Sequence, residues 1–386
     1  MAKRICSKCM DAFVRAHNAR TRAQGPNGRG FDNSDDTLQR EAQRVVEERK
    51  ALGLEGLVRG LDCVIINTEA PRHKAAVEEL LARTGFGFEA AFEDPQTTTC
   101  VLKAADSASL LIQSRKTASP FEDVTAFPKA AGLPHTRLET LVFETTDLDR
   151  YVAIQQARGV NFLTKAIVRS DRYAFIQTVP STFSGMSFGF IQWSGAIRNY
   201  ASRESTPLDW RLPKSEAPFL DNVKELDHAA ARVEARERDP AIIEFLHLTN
   251  YRFDFSIYVE ALNSITNVAR LPGSKFAAVF TSGIRSYMDD ETSGPTEKFV
   301  HNYGTRVHHI AFRTENIEAT VDALKDAGME FLLDLVGSEE EGLKQIFSIP
   351  SVNTLLVTEY IHRYGDFAGF FTKSNVTLLT AATGKQ

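Results

Sequence analysis

The chain has 386 residues, 43% apolar and 25% charged, with a formal net charge of −5. That composition belongs to a globular protein with sizeable cores, and the length exceeds one ordinary domain. The slightly acidic balance offers no attraction to nucleic acid or to an anionic membrane, which leaves small molecules as the expected partners.

The opening stretch "MAKRICSKCMDAF" contains no continuous apolar segment, and no run reaches the length of a membrane-spanning helix, so a cytoplasmic protein is expected. Four cysteines do not make a disulfide framework. Cys6 and Cys9 form a CxxC, but with only His17 nearby the expectation is two free thiols rather than a zinc site. Residues 1–54 read as an N-terminal helical arm, a Gly/Asn/Asp-rich loop followed by a charged helix at about 36–52.

Repetition organises the rest. The segment "LDCVIINTEAPRHKAAVEELLARTGFGFEAAF" from Leu61 reads strand, helix, strand, and "LDHAAARVEARERDPAIIEFLHLTNYRFDFSI" from Leu226 has the same opening pair and order at an offset of 165 residues. A second pair, "RLETLVFETTDLDRYVAIQQARGVNFL" from Arg137 and "RVHHIAFRTENIEATVDALKDAGMEFL" from Arg306, aligns without a gap at an offset of 169. It carries Phe143 onto Phe312 and Gly159 onto Gly328, with Asp147 and Asn316 at the helix starts. Short strands follow each copy, "YAFIQTV" and "SFGFIQW" in one half, "LKQIFSIP" and "TLLVTEYIH" in the other.

The fold class is therefore α+β, with four strand–helix–strands modules in two pairs. The first domain spans 55–200 and the second 222–372, joined by a polar linker at 201–221 that contains Pro207, Pro213 and Pro218; residues 373–386 form a tail.

Side chains alternate along a strand, so in "RVHHIAF" Val307, His309 and Ala311 should share one face, and His308, Ile310 and Phe312 the other. The module's helix covers Ile310 and Phe312, which turns His309 to the concave face and His308 away from it. His228 occupies the matching place in its own module. Glu359 shares a face with Val357 and Ile361, and a carboxylate among apolar neighbours is costly unless paired or bound to a metal. Two histidines and a carboxylate from three strands facing one cavity are the ligand set of non-heme Fe(II) with open positions. The first half has Cys63 and Thr140 at the histidine positions and a third position near Gly189 or Phe190, so no triad is expected there. His308, His301, His247 and His362 are expected to be structural.

The segments "LDH", "LNS", "VHHIAF", "LKQIF" and "TEYIHR", in this order over about residues 222–372, resemble 4-hydroxyphenylpyruvate dioxygenases of the vicinal oxygen chelate superfamily. The resemblance implies two vicinal-oxygen-chelate domains, each of paired βαβββ modules forming a curved half-barrel sheet with helices outside, the first lacking a metal site. It implies Fe(II) held by His228, His309 and Glu359, and a substrate pocket that includes Ser264, Gln345, Phe347 and, more loosely, Phe367. The implied chemistry is chelation of a 2-oxo acid, activation of O2, loss of CO2 and hydroxylation of the substrate. Only "LDLVGSEEEG" stands where that family carries a long helical insertion, so substrate identity is not carried over. An extradiol ring-cleaving dioxygenase and a non-catalytic binding protein of the same fold are the alternatives, and a homo-oligomer is left open.

Overall fold

The computed structural model describes residues 33–385 except Pro213 and Ala368, so Cys6, Cys9, His17 and most of the arm lie outside the described residues. The chain begins with helix α1 (Asp35–Leu52). In the first half follow β1 (Val58–Asn67), α2 (His73–Arg83), β2 (Gly87–Glu93), β3 (Thr97–Lys103), β4 (Ser109–Arg115), β5 (Arg137–Thr145), α3 (Leu148–Ala157), β6 (Val168–Arg169), β7 (Tyr173–Gln177), β8 (Ser187–Trp193) and β9 (Thr206–Pro207). The second half contains β10 (Val223–Arg232), α4 (Arg238–Leu248), β11 (Arg252–Val259), β12 (Ser264–Arg270), β13 (Ala277–Ser282), α5 (Pro295–Tyr303), β14 (Arg306–Thr314), α6 (Ile317–Asp326), β15 (Val336–Ser338), β16 (Leu343–Phe347), β17 (Val357–Arg363) and α7 (Lys373–Ala382). Among the described residues no helix is long and apolar enough to cross a membrane.

The two halves have the same wiring. A nine-stranded sheet runs β6-β7-β8-β5-β1-β4-β3-β2-β9 and an eight-stranded sheet runs β11-β12-β13-β10-β14-β17-β16-β15. In each, two βαβββ modules meet at an antiparallel central pair, β1 with β5 and β10 with β14. Each central strand pairs on its other side in parallel with the last strand of its own module, an arrangement that the long connection through the helix makes possible. Gly159 and Gly328, matched by the repeat, both follow their helices with φ of 88° and 86°, where a side chain would be strained.

The helix-covered faces of both sheets share one core. Val64, Ile66, Leu141 and Phe143 of the first sheet cluster with Ala229, Ala231, Ile310 and Phe312 of the second and with Ile242, Phe245 and Leu246 of α4. Phe143 packs 5.9 Å from Phe245, and Phe86 5.7 Å from Phe312. Each ring so buried contributes roughly 1.5–3 kcal/mol. The fully buried Arg49 of α1 donates to the carbonyls of Leu246, Thr249 and Tyr251, which docks the first helix onto the second half.

The opposite, concave faces differ. In the first sheet Cys63, Ile65, Phe92, Val101, Leu111, Val142, Ile191 and Tyr200 fill the curve, with Phe175 and Trp193 packed on them. In the second, smaller apolar clusters surround a polar centre, and Phe367, Phe370 and Phe371 close over it.

Candidate metal centre

The ligand candidates meet because of the register around β14. His309 stands opposite Ala230 on β10, while Ala311 is flanked by His228 on one side and Glu359 on the other. His228, His309 and Glu359 are all buried, and their donor atoms lie within 4.8 Å of one another. The Glu359 Oε2 atom is 3.0 Å from His228 Nε2 and 3.3 Å from His309 Nε2. Ligands about 2.1 Å from a metal and at right angles to each other are about 3 Å apart, so these spacings suit one face of an octahedral ion.

The orientation of each donor is fixed from behind. His228 Nδ1 donates to Asp227 Oδ1 at 2.7 Å, and Arg363 holds Asp227 with two contacts of 2.6 and 3.1 Å. Gln345 Nε2 donates to Glu359 Oε1 at 2.6 Å, and Asn375 Nδ2 of α7 donates to Gln345 Oε1 at 3.1 Å. With Nδ1 and Oε1 occupied in this way, Nε2 and Oε2 are directed to the common point. His228 Nε2 is completely buried and makes no hydrogen bond of its own, an orphaned atom that a bound cation would satisfy.

Electrostatics agree with that reading. Burial disfavours the His228 imidazolium, but Glu359 and Asp227 outweigh it and push the group up to about 9, so that a proton can neutralise the carboxylate where a cation otherwise would. His309 is driven well below its ordinary value, by burial first and then by His308, and is the neutral imidazole that a metal requires. Burial would raise the Asp227 carboxyl, yet Arg363 and the His228 hydrogen bond hold it well below the usual carboxylate range.

His308 departs from expectation. Its Nδ1 lies 2.8 Å from His309 Nδ1, whereas strict alternation would turn it away. Ala230 pairs with His309 and the next residue, Ala231, with Val307, so His308 is the extra residue of a β-bulge, which re-aims its side chain. The same bulge moves Val307 to the opposite side from His309: it packs in the main core with Ile310 and Phe312. Asp227 is a second bulge residue, skipped between the pairs Leu226 with Phe312 and His228 with Ala311.

The first half carries the same bulges at Asp62 and Glu139 without the ligands. Asp62 accepts from Trp193, Tyr200 and Arg198, and Glu139 pairs with Arg115. Burial pushes the Cys63 thiol far up, which removes it as a thiolate ligand. Gly189, opposite Val142, takes the place of Glu359, and even a β-carbon there would approach Val142 and Phe175 to 2.9 and 3.0 Å.

A cavity of about 40 Å³ adjoins the second-half triad, lined by residues that include His309, Glu359, Gln345 and Phe347. Of the expected substrate residues, Gln345 and Phe347 are on its wall, the Phe347 ring 4.7 Å from that of His309. Ser264 is buried at the head of β12, with its Oγ 3.2 Å from Thr296 Oγ1; the wall residues are Thr296 and Thr266, two positions further along the strand. Phe367 packs on Ala311, Leu343 and Ile361 outside the wall, which is reached instead by Phe371. Phe370 and Phe371 lie 5.6 and 5.2 Å from the His228 ring. Sequence reasoning also missed Arg232, Thr281 and, from the supposed tail, Val376, Leu379 and Thr380 of α7. The apolar spacing of Val376 and Leu379 was the available signal for that helix.

Two tandem pairs of βαβββ modules, curved around a buried His, His, Glu set in one half, define a vicinal-oxygen-chelate architecture. No family model matches the chain. Among solved structures it is similar to a triple-substituted variant of 4-hydroxymandelate synthase from Streptomyces coelicolor, with a TM-score of 0.62 and 18% identity over 85% of this chain and 99% of that one. It is also similar to a fusion of a xylose isomerase-like TIM barrel with 4-hydroxyphenylpyruvate dioxygenase, with a TM-score of 0.59 and 14% identity over 90% of this chain. The match spans 57% of that fusion protein. At these identities the likeness is one of fold.

Proposed function

We propose that the protein is an Fe(II)-dependent dioxygenase that oxidatively decarboxylates a 2-oxo acid and hydroxylates the remaining carbon skeleton, with O2 as co-substrate. The observation that carries this reading is the convergence of His228 Nε2, His309 Nε2 and Glu359 Oε2 in a buried pocket, each held from behind by a separate group. When bound, iron would supply open positions for a chelating 2-oxo acid and the redox chemistry with O2. One oxygen atom enters the new carboxylate as CO2 leaves, and the other becomes the hydroxyl group.

The residues of the chain have a positioning task. Glu359 supplies the negative charge, Gln345 keeps its second oxygen occupied, and Asp227 and the His308 ring fix the proton of each imidazole on Nδ1. Phe347, Phe371, Val376 and Leu379 exclude water from the reacting centre. No side chain is assigned as a general base: among the described residues the wall includes no tyrosine and no histidine besides His309. That wall favours the decarboxylating reading over extradiol ring cleavage, which has to remove protons from a catechol.

Anaerobic reconstitution with Fe(II), followed by a panel of 2-oxo acids and catechols, tests the proposal. A charge-transfer band with a 2-oxo acid, then O2 uptake matched by CO2 release, is expected. A yellow ring-opened product from a catechol without CO2 would replace it with the extradiol reading. Failure to bind iron, with His309→Ala changing neither metal content nor ligand binding, would leave a non-catalytic binding protein.

A further inference from the structure

Arg232 closes β10, four residues after His228, and its side chain lines the same cavity as His309 and Glu359. It is paired in register with Thr281 of β13, which is paired in turn with Thr266 of β12. With Thr296 these residues make one polar end to a cavity whose other lining includes Phe347, Phe371, Val279, Val376 and Leu379. His309 stands opposite Ala230, so the metal end and the arginine end are separated by two strand residues, about 7 Å.

The guanidinium is a buried cation, 5% exposed, and among the described residues it meets no carboxylate. It contacts neutral groups: Thr383 Oγ1 at 2.7 Å, the Pro295 carbonyl at 3.5 Å and the face of the Phe299 ring at 4.8 Å. The buried Arg238 and Arg49 have the acids Asp35 and Glu55, and the buried Arg137 and Arg306 donate to backbone carbonyls; Arg232 differs from all four in lining the cavity of the triad. Burial depresses Arg232 to about 9, with no acid opposing it. Thr383 ends α7, and the carbonyl end of a helix offsets part of the charge, but a desolvated cation facing a cavity remains costly until an anion joins it.

We infer that Arg232 binds a second, distal carboxylate of the substrate, which makes the substrate a short-chain dicarboxylic 2-oxo acid lying between the metal and the guanidinium. This rests on the reading of the site as a 2-oxo acid chelator. A planar guanidinium matches a carboxylate with two parallel hydrogen bonds, and the threonine hydroxyls beside it can donate to the remaining lone pairs. Val279, Val376 and Leu379, together with the rings of Phe347 and Phe371, line the space between the two ends, where a short methylene chain can pack.

The test uses Fe(II)-loaded full-length protein without O2, titrated with 2-oxoglutarate and 2-oxoadipate and with 2-oxopentanoate and 2-oxohexanoate, which lack the distal carboxylate. Binding is read by the charge-transfer band and by calorimetry. Wild type should bind one dicarboxylate at least about tenfold more tightly than its monocarboxylic counterpart. Arg232→Met should remove that preference while leaving monocarboxylate affinity within about twofold, and Arg232→Lys should keep part of it. Equal wild-type affinity for both classes would overturn the inference. So would an equal loss for both in Arg232→Met, because a purely structural role through Thr383 and Pro295 predicts that result. If Arg232→Met does not fold, the wild-type preference and the Lys variant still decide. The absence of a band with every 2-oxo acid would overturn the underlying reading itself, a result distinct from a band without preference.

Discussion

The Nδ1 atoms of His308 and His309 lie 2.8 Å apart, so a single hydrogen joins two adjacent rings. With His309 Nε2 ligating a metal beside Glu359, the proton of the ring would be on Nδ1 and His308 would be its acceptor. Removing that acceptor should free the His309 ring to rotate. His308→Phe is expected to weaken Fe(II) binding about 10–100-fold. His308→Gln, whose carbonyl can accept the same hydrogen, should stay near wild type. Competition with a chromophoric chelator measures both, and equal losses for Phe and Gln would remove the orienting role.

Asp227 does the same for His228 and is itself held by Arg363. Its carboxyl is depressed in the folded protein despite burial, chiefly by Arg363. Stability from this group is therefore present above its unfolded value near 4 and is lost as pH falls through the lower folded value. Arg363→Met leaves a buried carboxylate without its cation and should cost about 2–4 kcal/mol at pH 7. The deficit should shrink toward pH 3, where the variant can protonate Asp227. Urea midpoints at the two pH values check this, and a pH-independent deficit would count against it.

Much of the centre is legible in the sequence because a carboxylate and two histidines stand on faces whose other members are apolar, and because one half of the chain serves as a control for the other. The bulges at Asp227 and His308 are not legible. They arise from the pairing of β10 with β14, and an extra residue in a strand has no signature in a period-two pattern. Alternation alone therefore points His308 away from the site. Arg232 reads in sequence like any charge at a strand end, since nothing local shows that α5 and the end of α7 cover it. Three phenylalanines in "DFAGFF" compete for the closing position, and packing places Phe371 rather than Phe367 on the cavity wall.

Glu244 of α4 has a buried Oε2 with no hydrogen-bond partner. Burial pushes its carboxyl up to about 7, opposed by a hydrogen bond with Ser181. A folded value above the unfolded 4.5 means that the native state holds a proton the unfolded chain has released. The native advantage is thus complete below about 4.5 and is lost as pH rises through about 7. Glu244→Gln removes the ionisation and should stabilise the protein by about 1–2 kcal/mol at pH 8, while matching wild type at pH 4. Denaturant midpoints across this range are the measurement; a gain at pH 4 equal to that at pH 8 would show that ionisation is not the cause.

A chain of amides connects the last helix to the proposed ligand Glu359: Asn375 donates to Gln345, and Gln345 to Glu359. The three groups differ in what their loss removes. Glu359→Gln keeps the volume but deletes the charge and one ligand, so iron content should fall from about one per chain to near zero. Gln345→Leu leaves Glu359 charged but unpaired at Oε1, where it can rotate, and should weaken Fe(II) about 10–100-fold. Asn375→Leu acts one bond further away and should have a smaller effect, about 2–5-fold, scaling down from that orienting loss. Metal analysis together with chelator competition orders the series. Equal effects from Asn375→Leu and Gln345→Leu would mean that α7 holds Gln345 as firmly as Gln345 holds Glu359, whereas no effect from Gln345→Leu would show that packing against β14 alone orients the carboxylate.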